Sequence, residues 1–362
     1  VPVEDPVKSI IKLLFVGSNS IHCQRYIAGL LELNQFEIVV ITNKKMEQFA
    51  SLIQYELNFA LHSLKTAKQI LKYVHEFNPE IIHIQQANSY AWHTFRAVAK
   101  LKTGKPKIIL TTWGSDVLIL PNQSKLMHKI VRYSLVNADV ITADSFNMLS
   151  RISEILGDVS RPSYNINFGI KNIPREALSV QNKQKFILSN RLHKKLYRVD
   201  KIISAFAELY HSKRIDSEYK LIVAAAGSET ESLQGLVQEL NISAQVEFVG
   251  MLSYEQLVVL YQRATVFLSV PESDGTASSL LEAMAYGCIP VLSNLPANLE
   301  WVLDGVNGFI APNLVTLSEQ ILNALMLAQN QIEHQKVVEF NYQLIKQKAL
   351  FENNIQKFID LY

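Results

Sequence analysis

The 362-residue chain is short of several things, and each shortage closes off a class of protein. It holds two cysteines, Cys23 and Cys288, far apart and outside any CxxC spacing. That excludes a disulfide-stapled scaffold, argues against a thiolate metal centre and fits a reducing compartment. No apolar run approaches the roughly 18–20 residues that span a bilayer. Neither sign of charge dominates, since 35 basic and 33 acidic residues leave a formal net charge of +2. Without a dense basic stripe or an alternation of aromatic and basic residues, no nucleic-acid partner is expected. A complete GxGxxG is missing, which weakens a dinucleotide reading, and so is an Asp-x-Asp pair, so no metal is expected. The opening VPVEDPVKS has neither an initiator methionine nor a signal-peptide pattern, and is expected to be a trimmed end.

What is present is an ordinary globular composition, 48% hydrophobic, over a length that exceeds what one core usually serves. Apolar strands at 11–16, 36–41, 80–85, 107–112 and 139–143 alternate with helical patterns at 21–33, 66–77, 90–100, 124–136 and 145–156. This alternation predicts a doubly wound parallel sheet with its ligand chemistry beyond the carboxyl ends of the strands. His83, inside a strand, is expected in the core. Polar residues and prolines near 170–184 read as a linker. Strands at 186–189, 221–225, 245–249, 264–270, 289–292 and 309–311 then predict a second sheet of the same kind, and a helical pattern runs from 332 to 362.

Four stretches carry candidate chemistry. Gly17 ends the first strand and Ser18-Asn19-Ser20 leads into a helix, the shape of a phosphate-approaching turn. His22 at the mouth of that helix is either a packing residue or a sugar or acceptor contact. In TTWGSD, residues 111–116, Trp113 offers a stacking face and one N–H donor, or serves as a structural aromatic. Asp116 closes that motif. In NRLHKKLYR, Arg191 follows a strand end directly, and Lys194, Lys195 and Arg198 compete as a second cation; a solvated basic loop is the plainer alternative. The fourth stretch is PESDGTASSLLEAMAYGCIPV, residues 271–291, a strand end, a polar loop and a helix stopped by Gly287. Its helix start, with the amides of Thr276, Ala277, Ser278 and Ser279, attracts anions. Asp274 and, eight residues later, Glu282 bracket it. Ser279 and Glu282 also spell a capping box, which would explain Glu282 by helix stability alone.

Taken together, these stretches resemble the retaining glycosyltransferases of the two-domain GT-B fold, in particular family four, whose signature is Glu, seven residues, Glu within a "LEAMA-G-PV" run. Two departures stand out: Asp274 replaces the first Glu, and Trp113 stands where many relatives carry a histidine. The WGSD version resembles a subgroup of bacterial polysaccharide enzymes. The resemblance implies an α/β GT-B protein of two doubly wound, Rossmann-like parallel-sheet domains facing a cleft. They would be an acceptor-side domain over 1–175, a nucleotide-sugar-binding domain over 176–335 and a helix over 336–362 crossing back to the first. It also implies that Glu282 holds the ribose and that Asp274 faces the transferred sugar. Arg191 with Lys195 would neutralise the donor diphosphate, Gly17 and the amides of 276–279 would complete the donor site, and His22, Trp113 and Asp116 would face sugar or acceptor. Asp274, Arg191 and Lys195 are the catalytic candidates.

The implied activity is metal-independent hexosyl transfer, with retention, from a nucleotide-diphosphate sugar to an acceptor hydroxyl. It needs no cofactor besides that substrate. The glycan or lipid-linked acceptor would belong to bacterial cell-surface polysaccharide or glycolipid synthesis. A cytoplasmic location is expected. Lys125, Lys129 and Arg132, beside Leu126, Ile130 and Val131, make either a solvated helix face or a peripheral contact with the inner membrane surface. The rival readings are a non-catalytic GT-B protein that binds nucleotide-sugars and a GT-B sugar-nucleotide epimerase.

Overall fold

A computed structural model describes residues 10–362; the opening stretch expected to be a trimmed end, with the first residues of the 1–175 domain, lies outside the described residues. The chain divides into two units, one running up to Phe168 and taking in Glu352–Tyr362, the other Gly169–Phe351.

The first unit is a sheet of seven parallel strands: β1 Ile11–Gly17, β2 Phe36–Thr42, β3 Ile53–Glu56, β4 Ile81–Gln85, β5 Lys107–Thr111, β6 Val140–Ala143 and β7 Ser163–Asn165. Their order is β3-β2-β1-β4-β5-β6-β7. Central strands such as Leu13–Val16 are fully buried because helices cover both faces, which is why they read as unbroken apolar runs. The edge strands β3 and β7 are short, half-polar and partly exposed, and their sequences therefore give no strand signal. Helix starts are fixed locally. Ser20, Asn88, Ser124 and Ser145 each accept a hydrogen bond from a first-turn amide.

The second unit is a sheet of six parallel strands: β8 Gln184–Ser189, β9 Lys220–Ala224, β10 Val246–Gly250, β11 Ala264–Ser269, β12 Ile289–Ser293 and β13 Phe309–Ala311, in the order β10-β9-β8-β11-β12-β13. Apolar clusters cover both faces of this sheet. The helix Ser278–Ala285 is buried along all of Leu280–Ala285 rather than on the single stripe its spacing suggests. Gly287, at φ +79°, ends it as a left-handed residue following the helix.

Where the sequence pattern suggests one helix over 336–362, two are present, Gln331–Lys348 and Phe351–Ile359. The break has a local cause. Leu350 pairs with Ile170 as an isolated parallel bridge, with Ile170 N donating to Ala349 O and Phe351 N donating to Ile170 O. Gly169, at φ +72°, lets the two segments pass, since a Cβ there would lie 2.8 Å from the backbone of 349–351.

In each sheet the strand order reverses once, between β1 and β4 and between β8 and β11. Loops leaving the carboxyl ends of strands at such a reversal diverge to opposite faces and open a crevice there.

Candidate functional site

The reversal in the second unit brings together two loops that are far apart in sequence. The loop after β8 begins with Asn190 and Arg191; the loop after β11 carries Asp274 and runs into the helix Ser278–Ala285. A backbone hydrogen bond from Glu272 N to Leu196 O, 2.8 Å, ties them. Arg191, nine-tenths buried, reaches across with both terminal nitrogens. Nη2 pairs with Asp274 Oδ2 at 2.5 Å, and Nη1 donates to Ser279 Oγ at 3.1 Å. Its guanidinium lies over the Tyr197 ring, 4.4 Å from the centroid. The aspartate that replaces a longer glutamate is therefore engaged by Arg191. Burial pushes the Asp274 carboxyl above its ordinary value, and the Arg191 charge and the Gly275 amide offset this only in part.

The capping-box reading of Ser279 and Glu282 does not describe this helix. Its N-cap is Ala277, and no side chain caps it. The helix starts at Ser278, so Ser279 falls one residue inside it and its hydroxyl serves Arg191 instead. Glu282, 5% exposed, accepts a hydrogen bond from the Tyr261 hydroxyl at 3.0 Å. Tyr261 in turn accepts from Asn190 Nδ2 at 2.6 Å. Thr276 is tethered from the other side, its hydroxyl accepting from Trp301 Nε1 at 3.2 Å.

Lys195 is exposed and, with Lys194 and Arg198, lines a surface recess of about 630 Å³ against the helix Thr230–Glu239. Among the described residues it makes no ion pair with Asp274 or Glu282. Of these three, Arg198 approaches the loop after β11, its Nη2 3.6 Å from Glu272 Oε2. Among the described residues, three of the five buried side-chain polar atoms without a partner are Ser189 Oγ, Asn190 Oδ1 and His193 Nε2. Asn190 and Tyr261 escaped the sequence reading; adjacency to Arg191 was the available signal for Asn190, and Tyr261 had none.

In the first unit the candidates are differently employed. Gly17 is closely packed: a Cβ there would lie 3.0 Å from Cys23 Sγ and 3.1 Å from Gln85 Cβ. Trp113 Nε1 donates to Gln85 Oε1 at 2.6 Å, and its ring stands edge-on to His22, centroids 5.2 Å apart. Asp116, 2% exposed, accepts from Trp113 N at 2.9 Å with one oxygen and from Ala87 N at 2.7 Å with the other. Burial raises its carboxyl, against these amides. It therefore ties the loop after β5 to the end of β4. His83 is buried as expected, between Tyr362 Oη at 2.7 Å and Thr111 Oγ1 at 2.7 Å. Desolvation lowers it to about 3, so it is neutral at ordinary pH.

Comparison with known proteins follows the same division. The family described as "Glycosyl transferases group 1" matches residues 170–341, and "Glycosyl transferase 4-like" matches residues 12–145. The chain is 26% identical over 324 residues to the uncharacterized glycosyltransferase MJ1178 of Methanocaldococcus jannaschii, covering 86% of this chain and 85% of that protein. It is 25% identical over 193 residues to the alpha-monoglucosyldiacylglycerol synthase of Streptococcus pneumoniae, covering 51% of this chain and 43% of that one. In three dimensions it is similar to Anabaena Alr3699/HepE, solved in complex with UDP and glucose, with a TM-score of 0.76, 13% identity and coverage of 97% and 99%.

Proposed function

The chain belongs to the glycosyltransferases of the GT-B fold, family-four type, and we propose that it moves a sugar from a nucleotide-diphosphate donor to an acceptor hydroxyl with retention at the anomeric carbon. The observation that carries this reading is Arg191, held between Asp274 and Ser279 at the reversal of the second sheet, with Glu282 buried alongside.

Departure of the diphosphate is the step that needs help, because negative charge grows on it as the bond to the sugar lengthens. Arg191 and the amides at the start of the helix Ser278–Ala285 are preorganised to receive that charge, with Lys195 or Arg198 as the second cation. On this reading the protein itself supplies the neutralising charge and needs neither a metal nor a cofactor. Glu282 accepts from the ribose hydroxyls and Asp274 positions the transferred sugar. The acceptor attacks the face from which the diphosphate leaves, and the departing phosphate takes its proton.

The acceptor is a glycan or lipid-linked glycan of bacterial surface polymer or glycolipid synthesis, chosen by first-unit loops that include His22, Trp113 and Asp116. The pneumococcal relative, named for a diacylglycerol glycolipid, supports a lipid-linked acceptor. The helix Lys125–Asn137 presents Lys125, Lys129 and Arg132 to solvent with Leu126, 62% exposed, among them. Such a face suits peripheral binding to the cytoplasmic surface of an anionic membrane.

The test is release of free nucleoside diphosphate from a panel of UDP- and GDP-sugars. We expect one donor to be hydrolysed slowly by the wild type, and that activity to be lost in both Arg191→Ala and Glu282→Ala. If no nucleotide-sugar raises the melting temperature, the reading is wrong. Binding without turnover would favour the non-catalytic alternative, and C-epimerised product the epimerase. NMR of the anomeric proton in the product decides retention.

A further inference from the structure

We propose that Tyr261 is a positioning residue for the donor, its hydroxyl, oriented by Asn190, holding the Glu282 carboxylate toward the ribose of a nucleoside diphosphate. The inference rests on the role given to Glu282 above.

Tyr261 sits in the helix Tyr254–Arg263 and is fully buried. A phenylalanine would fill nearly the same space among Phe267, Tyr286 and their neighbours without taking a hydroxyl out of water. A buried hydroxyl is tolerated where its hydrogen bonds are made, and this one makes two. The amide nitrogen of Asn190 can only donate, so the phenol oxygen accepts from it. The single phenolic proton is thereby directed at Glu282 Oε2. Turning the Asn190 amide over would set its oxygen in competition with the Glu282 carboxylate for that one proton. Burial, reinforced by the neighbouring Glu282, pushes the Tyr261 hydroxyl well above its ordinary pKa, so it remains a donor.

The other end of the residue is equally fixed. Its carbonyl accepts from Lys183 Nζ at 2.9 Å and from Cys288 Sγ at 3.1 Å. Lys183 Nζ also donates to Tyr286 O at 2.7 Å, and the Tyr261 and Tyr286 rings lie parallel within 7°. Tyr261 therefore cannot follow a carboxylate that moves; the carboxylate is held to it. One dipeptide at the end of β8 governs both acids of the site, Arg191 through Asp274 directly and Asn190 through Tyr261 and Glu282. A carboxylate fixed before the ligand arrives loses less freedom on binding, which appears as affinity for the group it faces.

The experiment is titration calorimetry with UDP or GDP, whichever the wild type binds, and with the matching 2′,3′-dideoxyribose compound. Tyr261→Phe should weaken the ribose nucleotide about tenfold and leave the dideoxy compound unchanged, so that discrimination between the two shrinks. Asn190→Ser should shift the same ratio by a smaller factor, and it decides the matter should Tyr261→Phe fail to fold. Equal affinity of Tyr261→Phe and wild type for the ribose nucleotide overturns the proposal, as does a parallel loss for both compounds, which marks a structural role. Glu282→Ala separates the two levels. If it loses the ribose nucleotide while Tyr261→Phe does not, Tyr261 alone was misassigned. If it binds normally, or if the wild type binds neither nucleotide, the role of Glu282 falls and the inference with it.

Discussion

The two sheets reverse their strand order in the same way, yet the residues at the two reversals do opposite things. In the second unit Arg191 crosses from one loop to the other and ends on Asp274 and Ser279, with Glu282 held beside them. In the first unit the corresponding loops are bound by neutral or enclosed groups, Trp113 on Gln85, Asp116 on two backbone amides and His83 between two hydroxyls. A common backbone plan thus supplies the crevice, while loop side chains decide whether it is crossed by an ion pair or closed by hydrogen bonds to buried groups.

Breaking the charged reversal should give the largest effect. Arg191→Ala is expected to lower kcat/KM for donor turnover by about 10³-fold and, because it strips the buried Asp274 carboxyl of the charge that offsets its burial, to lower the melting temperature as well. Steady-state assays beside thermal melts check this. Breaking the neutral reversal should cost stability alone. Asp116→Ala leaves two backbone amides without their acceptor and should destabilise the fold by about 2–4 kcal/mol, measured by urea unfolding, with nucleotide affinity unchanged. Asp116→Asn, which keeps one acceptor, should cost less.

Acid sharpens the contrast next. His83 in the first unit is held down to about 3, and His334 in the second to about 4, both mainly by desolvation. An unfolded histidine takes up its proton near pH 6.5, whereas these cannot do so until pH 3–4 in the folded chain. The unfolded state therefore binds more protons between these limits, and stability falls as pH drops from about 6.5 toward 3. His83→Asn should flatten the decline in melting temperature over that window. The smallest effect is expected of Trp113→Phe, which keeps one aromatic ring and removes the Gln85 bond with part of the indole's packing. It should cost about 1 kcal/mol of stability. A donor-binding constant altered tenfold by it would erase the distinction between the reversals.

Much of the architecture was legible because it depends on local pattern. The buried central strands announce themselves as apolar runs, and Asp274, Glu282 and Arg191 stand beside recognisable strand and helix ends. The strands β3 and β7 were not legible, because an edge strand pairs on one side and tolerates polar residues. Nor was the break before Phe351, which depends on Ile170 arriving from a distant part of the chain to pair with Leu350. Spacing alone left Lys194, Lys195 and Arg198 open as the second cation; all three line one exposed recess, and Arg198 also approaches the loop at Glu272.

The sequence by itself determined two parallel α/β sheets and the order in which candidate residues leave their strands, because periodicity and strand-end punctuation are properties of neighbours in the chain. Only the tertiary structure decided what those residues do. Ser279 and Glu282 have the spacing of a helix cap, yet they serve Arg191 and Tyr261, because a side chain's hydrogen bond goes to whichever partner folding brings within about 3 Å of it, and those partners lie 88 and 21 residues away.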